Sequence, residues 1–580
     1  MKLSQLLGRF APILPAVVLL VLIFIHGVNV PFWDEWSTPG QFLSLEKYSF
    51  KDFFDQSNES RLIVPKLIFL GVSKLLGWQP KHYMVFGWVI VLAIFFLLYQ
   101  LCHRRPASGR TQDFTSLLCL TISGALLFSP AAFENWLWGL QWVIFVPLLC
   151  ALLALHIQNR TPSFGVRFGA TVLLNYVAMY SFSNGMLLWV VSFPFWREGL
   201  GFLAGRRPSR AGMLRLLVWS SAYCLAALIS VRIYFSDYQN ISAHPPLAFV
   251  LKEPWSVVKY FAAWCGGPFH SNASVHIVVG FALILASLLL PGWLVMKARR
   301  EPGWRTFHYL GRLYPSLLII AYALGSGLMT SLGRAAFGVE QAFSSRYLFH
   351  SAALSVGLIA ALNTHRILVA GANWKAGNYS RIFHGVLGLF SILLIRSWDH
   401  GYKAFEKMRI ARTQTLFTVR MLAVVPKSPM VDKTCPWLDL PLLVKTLEEK
   451  GIYDPSSYGD WLTEAIKHPQ SAAGGAVQIL PRPQSEIGLT GWAMIPEHNT
   501  PADSVLLCRM GKSGDLEPCI MLAVGFKRND IVREIGRSSL RHSGFMEVFH
   551  WPEEEDFDSV VMFSVDERNR RLYPLSRILP

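Results

Sequence analysis

FAPILPAVVLLVLIFIHGVNVPFWDEW, residues 10–36, is an apolar run from Phe10 to Val30 that turns polar at Trp33-Asp34-Glu35-Trp36. An apolar stretch of about 20 residues is long enough to cross the hydrocarbon core of a bilayer as a helix. No small-residue cleavage site follows it, so the expectation is a retained anchor rather than a removed signal peptide. Two adjacent carboxylates at the edge of such a span are costly unless they are partnered or have work to do. The flanking indoles set their depth, because tryptophan prefers the headgroup level.

The rest of the chain repeats the apolar theme. Of 580 residues, 52% are hydrophobic and 16% charged, and the mean hydropathy is +0.36. That excludes an ordinary soluble protein of this length. Spans are expected near 10–30, 82–102, 114–130, 142–158, 168–183, 185–196, 216–234, 275–295, 313–331, 347–363 and 383–397, about eleven in all. The net charge of +17 gathers in short loops between these runs, as the positive-inside rule requires, and does not point to nucleic acid.

Loop charge also orients the chain. Lys2 and Arg9 precede the first span and place the N-terminus inside. Leu62–Leu76 is apolar but carries Lys66 and Lys74. If this segment crossed, the basic stretch from His103 to Arg110 would fall outside. If it lies on the surface as an amphipathic helix, that stretch falls inside. The loops holding Arg197, Arg206, Arg207, Arg210 and Arg215, then Lys297, Arg299, Arg300, Arg305 and Arg312, then Arg366, Lys375 and Arg381 all land inside only on the second reading. The outer surface then comprises 31–81, 130–141, 183–184, 235–274, 332–346 and everything after about residue 397.

Beyond residue 397 the composition changes. Residues 398–475 form a polar, helical connector, and Ser471–Gly475 resembles a linker. From Ala476 the pattern is short alternating runs separated by turns, which predicts a small all-β domain, a sandwich, over 476–580. A hairpin turning at Lys512–Asp515 would put Cys508 opposite Cys519, as a disulfide or as two free thiols. The fold expected is an α-helical polytopic membrane domain over 1–397, that connector, and the extracytoplasmic β-domain.

Several outer-loop clusters could carry chemistry. Asp34 and Glu35 share the first loop with Asn58-Glu59-Ser60-Arg61. Phe133-Glu134-Asn135-Trp136-Leu137-Trp138-Gly139-Leu140-Gln141 has one charge, two indoles and two amides. Stacking faces beside amides suit a sugar, and an aromatic belt is the plainer alternative. Ser183-Asn184-Gly185 interrupts an apolar stretch. Arg334 and the run Ser344-Ser345-Arg346-Tyr347 close the last outer loop. Arginine at a membrane edge suits a phosphate, since its fork donates two hydrogen bonds and keeps its charge. Snorkelling to lipid phosphates is the plainer alternative.

A hydrophobic first helix, a carboxylate pair opening the first outer loop, surface helices in that loop and about eleven spans resemble the GT-C glycosyltransferases, and Phe32–Trp36, Asn58–Arg61, Glu134–Gln141 and Ser345–Tyr347 resemble a group of bacterial multi-span proteins near that superfamily. The superfamily includes protein O-mannosyltransferases and the aminoarabinose transferase of lipid A. The second piece usually has histidine where this chain has Ser60. Gly491-Trp492-Ala493 and Pro501-Ala502-Asp503 resemble a tail found on bacterial envelope glycosylation proteins.

The resemblance implies an inverting transferase. A polyprenyl-phosphate sugar donor would meet an envelope glycan or lipid acceptor at the periplasmic face of a bacterial inner membrane, among membrane lipids. It implies Asp34 as general base, with Glu35 to orient it, bind acceptor or share a divalent cation. Arg346 and Arg334 would hold the phosphate. Asn58, Glu59, Arg61, Glu134, Asn135, Trp138, Gln141, Asn184 and Tyr347 would shape the substrate sites. Some relatives use a divalent cation such as Mg or Mn and others do not, so the metal stays open. Three other classes compete: an O-antigen-ligase-like transferase, a structural scaffold whose β-domain is a glycan- or protein-binding module, and a lipid-linked-sugar flippase or glycan transporter. The last would place charges inside the spans.

Overall fold

The computed structural model describes residues 10–102, 114–203, 208–239, 248–269, 273–298, 303–369, 376–425, 429–458, 460–481, 486–511, 514–551 and 557–578. The basic stretch His103–Arg110, Arg206, Arg207, Arg299, Arg300 and Lys375 lie outside these residues, as do Lys2 and Arg9. The protein is mostly helical, with a C-terminal strand-rich region. It divides into two compact units. The first comprises Met1–Ile25, Tyr48–Ile68 and His82–Phe405; the second comprises His26–Lys47, Phe69–Lys81 and Glu406–Pro580.

Among the described residues, seven helices are long and apolar enough to cross a membrane. They are Pro80–Cys102, Phe114–Leu137, Gln141–Arg160, Arg210–Tyr234, Ser274–Trp293, Thr306–Phe337 and Ser345–Leu368. The other four expected spans differ for physical reasons. Ala11–His26 and Phe164–Met179 are apolar but shorter. The run at 383–397 is absorbed into the helix Ala376–Met421, which continues into polar sequence. The run at 185–196 is not a continuous helix. It forms a 3-10 turn, Ser183–Leu187, and a four-residue helix, Leu188–Val191. Pro194 follows closely, and proline cannot supply the N–H that a continuing helix needs.

This irregular limb still returns to where it began. Arg167, near the start of Phe164–Met179, makes a two-pronged ion pair with Glu198, at 2.7 and 3.2 Å. The backbone polarity left by the broken helix is met by buried amides and hydroxyls. Gln158 Nε2 donates to Ser192 O (3.2 Å) and Thr171 Oγ1 (2.8 Å). Ser192 Oγ donates to Asn175 Oδ1 (2.9 Å), and Asn175 Nδ2 to Tyr223 Oη (2.8 Å). Such satisfaction is what non-helical chain in apolar surroundings requires. Elsewhere in this unit, small residues let helices touch. A Cβ on Gly280 would collide with the Ala262 carbonyl, and one on Gly266 with that of His276.

The strands begin with a small hairpin in the first unit, β1 (Gln56–Ser57) and β2 (Ser60–Arg61). The second unit holds the β-sandwich. One sheet runs β11 (Ser576–Ile578), β3 (Gly475–Pro481), β4 (Glu486–Ile495), β8 (Gly544–His550), with β5 (Thr500–Pro501) on the end of β4. The other runs β10 (Arg571–Pro574), β9 (Val561–Asp566), β6 (Ser504–Met510), β7 (Leu516–Ala523). Val477, Leu489, Phe545 and Phe549 of the first sheet meet Val505, Leu507, Ile520 and Leu522 of the second.

The second sheet is covered on its other face as well. Leu506, Met521, Phe563 and Val565 pack against Ile410, Phe417 and Met421 of the long helix and against Leu462 and Ile466 of Asp460–Lys467. This explains why Ser504–Cys508 are all buried instead of alternating. The edge strand β7 is closed by a side chain. Gln414 Nε2 donates to Met521 O (2.6 Å), and Ala523 N donates to Gln414 Oε1 (2.7 Å).

The hairpin does not bridge its cysteines. A register shift at Leu507/Cys508 pairs Cys508 with Pro518 and leaves Cys519 in the bulge. Cys508 therefore faces the helical layer and Cys519 the inter-sheet core, and no disulfide joins them.

Candidate functional site

Two clusters hold the candidate residues, one in each unit. In the second unit, Trp33 has a φ of 45°, a value non-glycine residues seldom adopt. It feeds a tight turn in which Glu35 N donates to Phe32 O (2.9 Å) and Trp36 N to Trp33 O (3.0 Å). Consecutive residues on a helical turn point in different directions, and this separates the two carboxylates.

Glu35 turns inward and is fully buried. Its Oε2 accepts from Phe32 N (2.8 Å) and lies 3.9 Å from a guanidinium nitrogen of Arg412, itself 1% exposed. Arg412 also donates to Val30 O and sits 4.7 Å from the Phe32 ring centroid. Burial pulls the Arg412 guanidinium down to about 10, against the opposing pull of Glu35. Glu35, expected to support Asp34, is instead half of a buried ion pair, with no exposed surface to offer an acceptor or a cation.

Trp36 follows Glu35 inward and meets Trp78 and Tyr453, each at 5.8 Å. Asp34 stays part-exposed. Burial first, then the Asp34 charge, push the Cys435 thiol up to about 11. Trp33 is half-exposed and lies 5.4 Å from Trp437. Phe32 and Trp33 also line a cavity of about 440 Å³ with Lys407, Thr415, Thr434 and Glu547. Its volume is within the usual range of ligand sites, roughly 300–1,000 Å³.

In the first unit, Asn58 takes a φ of 50° at the tip of the β1–β2 hairpin. Arg61 is buried beneath it. It donates to Tyr234 O and Phe54 O (2.7 Å each) and to Ser236 O, and stacks on Phe54 at 4.2 Å. Arg61 thus holds the hairpin in place. Glu59, beside it, pairs with Arg334 at the end of the helix Gly303–Arg334.

Glu134 organises the last loop. Its Oε2 accepts from Ser345 Oγ (2.5 Å), Ser344 Oγ (3.2 Å) and Arg346 N (3.2 Å). Asn135 Nδ2 donates to Ser345 O (3.5 Å), and Arg346 Nε to Ser344 Oγ (3.0 Å). The charges of Glu59, Arg334 and Arg346 all act on Tyr347. Tyr347 shares a hydrogen bond with Tyr260, whose hydroxyl donates to Gln341 Oε1 (2.9 Å). Burial raises the Tyr260 phenol well above its ordinary range. Two arginines, two tyrosines and a glutamate are therefore within electrostatic reach of one another.

The other expected residues are less central. Asn184 is buried in its 3-10 turn, beside Ser183, whose N–H donates to Ser60 Oγ (3.1 Å). That contact is made by the serine that stands where the resemblance expects histidine. Trp138 is 4% exposed and offers no open stacking face, contrary to the sugar role expected of it. Gln141 is part-buried and starts the 3-10 turn Gln141–Phe145.

Arg412, Tyr260 and Gln341 were not singled out by sequence. For Arg412 a signal existed: it shares a helical stripe with Met408 and Val419, all three buried, and an arginine in an apolar stripe calls for a buried partner. Among the described residues, no group of three or more His, Cys, Asp or Glu side chains gathers to hold a metal ion. No known protein family matches the chain, and neither a curated protein nor a solved structure matches it.

Proposed function

We propose that the protein is an inverting glycosyltransferase of the bacterial cytoplasmic membrane. It would move a sugar from a polyprenyl-phosphate donor to an envelope glycan or lipid on the periplasmic side. The observation that supports this best is the gathering of Arg334 and Arg346 around Tyr347 and Tyr260. A lipid phosphate leaves already anionic, so it needs fixed positive charge more than a proton donor. In this reading the acceptor oxygen attacks the anomeric carbon opposite the phosphate. The carbon–oxygen bond to phosphate breaks, its electron pair stays on the phosphate, and the hydroxyl proton passes to Asp34. Glu134 and Asn135 position Arg346, and Glu59 positions Arg334.

The test compares envelope glycans and lipid-linked sugars in cells carrying wild type, Arg346→Ala or Asp34→Asn at matched membrane levels. Loss of one sugar with build-up of its lipid-linked donor is expected. Removing a general base typically costs about 10²–10⁴ in rate. Unchanged glycans in both variants would refute the assignment.

A further inference from the structure

A second charged cavity lies within the helical unit, in a region the proposed transfer does not use. Its volume is about 240 Å³, and Arg160, Arg197, Arg312, His156, His308 and Asn159 are among its lining residues. At about 30 Å³ per water molecule, it holds the volume of a phosphate or diphosphate with some solvent. Among the described residues, no carboxylate lines it. The nearest by sequence, Glu198, is taken by Arg167 on both oxygens. Among the described residues, neither Arg160, Arg197 nor Arg312 forms an ion pair with an acid.

Three guanidiniums around one cavity repel one another unless an anion sits between them. Arg197 and Arg312 are part-buried, and Arg160 is exposed at the rim. Here the surroundings are ordered. Arg197 follows Trp196, whose indole lies flat on the Tyr314 ring at 4.1 Å and 6°. Arg160 ends one apolar helix and Arg312 lies near the start of another. Arg312 and Arg334 belong to the same helix, 22 residues apart, a rise of about 33 Å. That is close to the thickness of a bilayer core, roughly 30 Å.

We infer that this cavity binds a phosphate group, carried by a lipid headgroup or by a free phosphate, at the end of the helical unit remote from Arg334. The inference does not depend on the transfer chemistry. Arginine-selective labelling with phenylglyoxal, read by peptide mass spectrometry on the full-length protein, follows each guanidinium separately. One arm compares inorganic phosphate with chloride at equal ionic strength in detergent. The other compares phosphatidylcholine nanodiscs with and without phosphatidylglycerol.

Labelling of Arg160, Arg197 and Arg312 should slow about tenfold in at least one arm, while exposed Arg541 is unaffected. Protection by inorganic phosphate identifies a free phosphate, and protection by phosphatidylglycerol alone identifies a headgroup. No protection in either arm overturns the inference. Arg312→Gln, checked for native elution and melting, should abolish protection at Arg160 and Arg197. Persistence there would show a general surface effect and would also overturn it. Arg160→Gln, read at Arg312, serves if Arg312→Gln does not fold.

Discussion

Arg412→Met should be among the most damaging single changes in the second unit. Arg412 and Glu35 are 1% and 0% exposed, so neither can fall back on water when the other is removed. Breaking a buried pair from one side costs about 3–5 kcal/mol, because the surviving charge is left uncompensated. At 3.9 Å the contact is long for a hydrogen bond, so its strength lies mostly in charge. Glu35→Gln keeps an acceptor for Phe32 N and should still destabilise by stranding Arg412. The double variant removes both charges and should recover most of the loss, giving a coupling of about 2 kcal/mol or more.

The assay is denaturant unfolding of the full-length protein in detergent, followed by near-ultraviolet circular dichroism and by proteolysis around Trp33–Trp36. A second signature is pH. The folded guanidinium sits at about 10, well below its ordinary value, so between the two the unfolded chain binds the extra proton. Stability contributed by this group should therefore rise with pH across that window, stay level below it, and lose its slope in Arg412→Met. Additive single variants, or an Arg412→Met loss under about 1 kcal/mol, would refute the buried-pair reasoning.

Other outcomes follow from particular contacts. Gln414→Leu removes both bonds to the edge of β7, so amide exchange at Ala523 should accelerate and stability fall by about 1–3 kcal/mol. Unchanged protection at Ala523 would show that the amide does not close the edge. In Asp34→Asn, alkylation of Cys435 by a small methanethiosulfonate should quicken, because the carboxylate helps hold that thiol up at about 11. An unaltered rate would mean Asp34 is not charged beside it. Reducing agent should leave the melting temperature unchanged, since Cys508 and Cys519 face opposite sides of their sheet, and a drop would reveal a bridge.

The long apolar helices and the C-terminal strands were legible because each is a repeated local pattern, of period or of length, that needs no distant partner. The limb after Ser183 was not, because its broken backbone at Ser192 is met by Gln158 and Asn175, side chains from two other helices. The pair Asp34-Glu35 was visible as a feature but not as two roles. What divides it is Arg412, far along the chain, and the rotation between neighbours on a turn. Cys508 and Cys519 were misplaced by a single extra residue, since one bulge reverses the facing of everything beyond it. Glu59, Arg334 and Arg346 were each visible as polar residues near the ends of apolar runs. Their grouping around Tyr347 depends on packing that no short motif encodes.

The helical layer on the second sheet bears on how this domain could travel between proteins. A sandwich with two wet outer faces can be cut out and joined to a new host. This one has Leu506, Met521, Phe563 and Val565 on a face that only the preceding helices keep dry. Cut at residue 476, it would present a contiguous oily surface and stick to its neighbours. Its graft boundary therefore lies upstream, within the long helix, where Ile410, Phe417 and Met421 begin the cover.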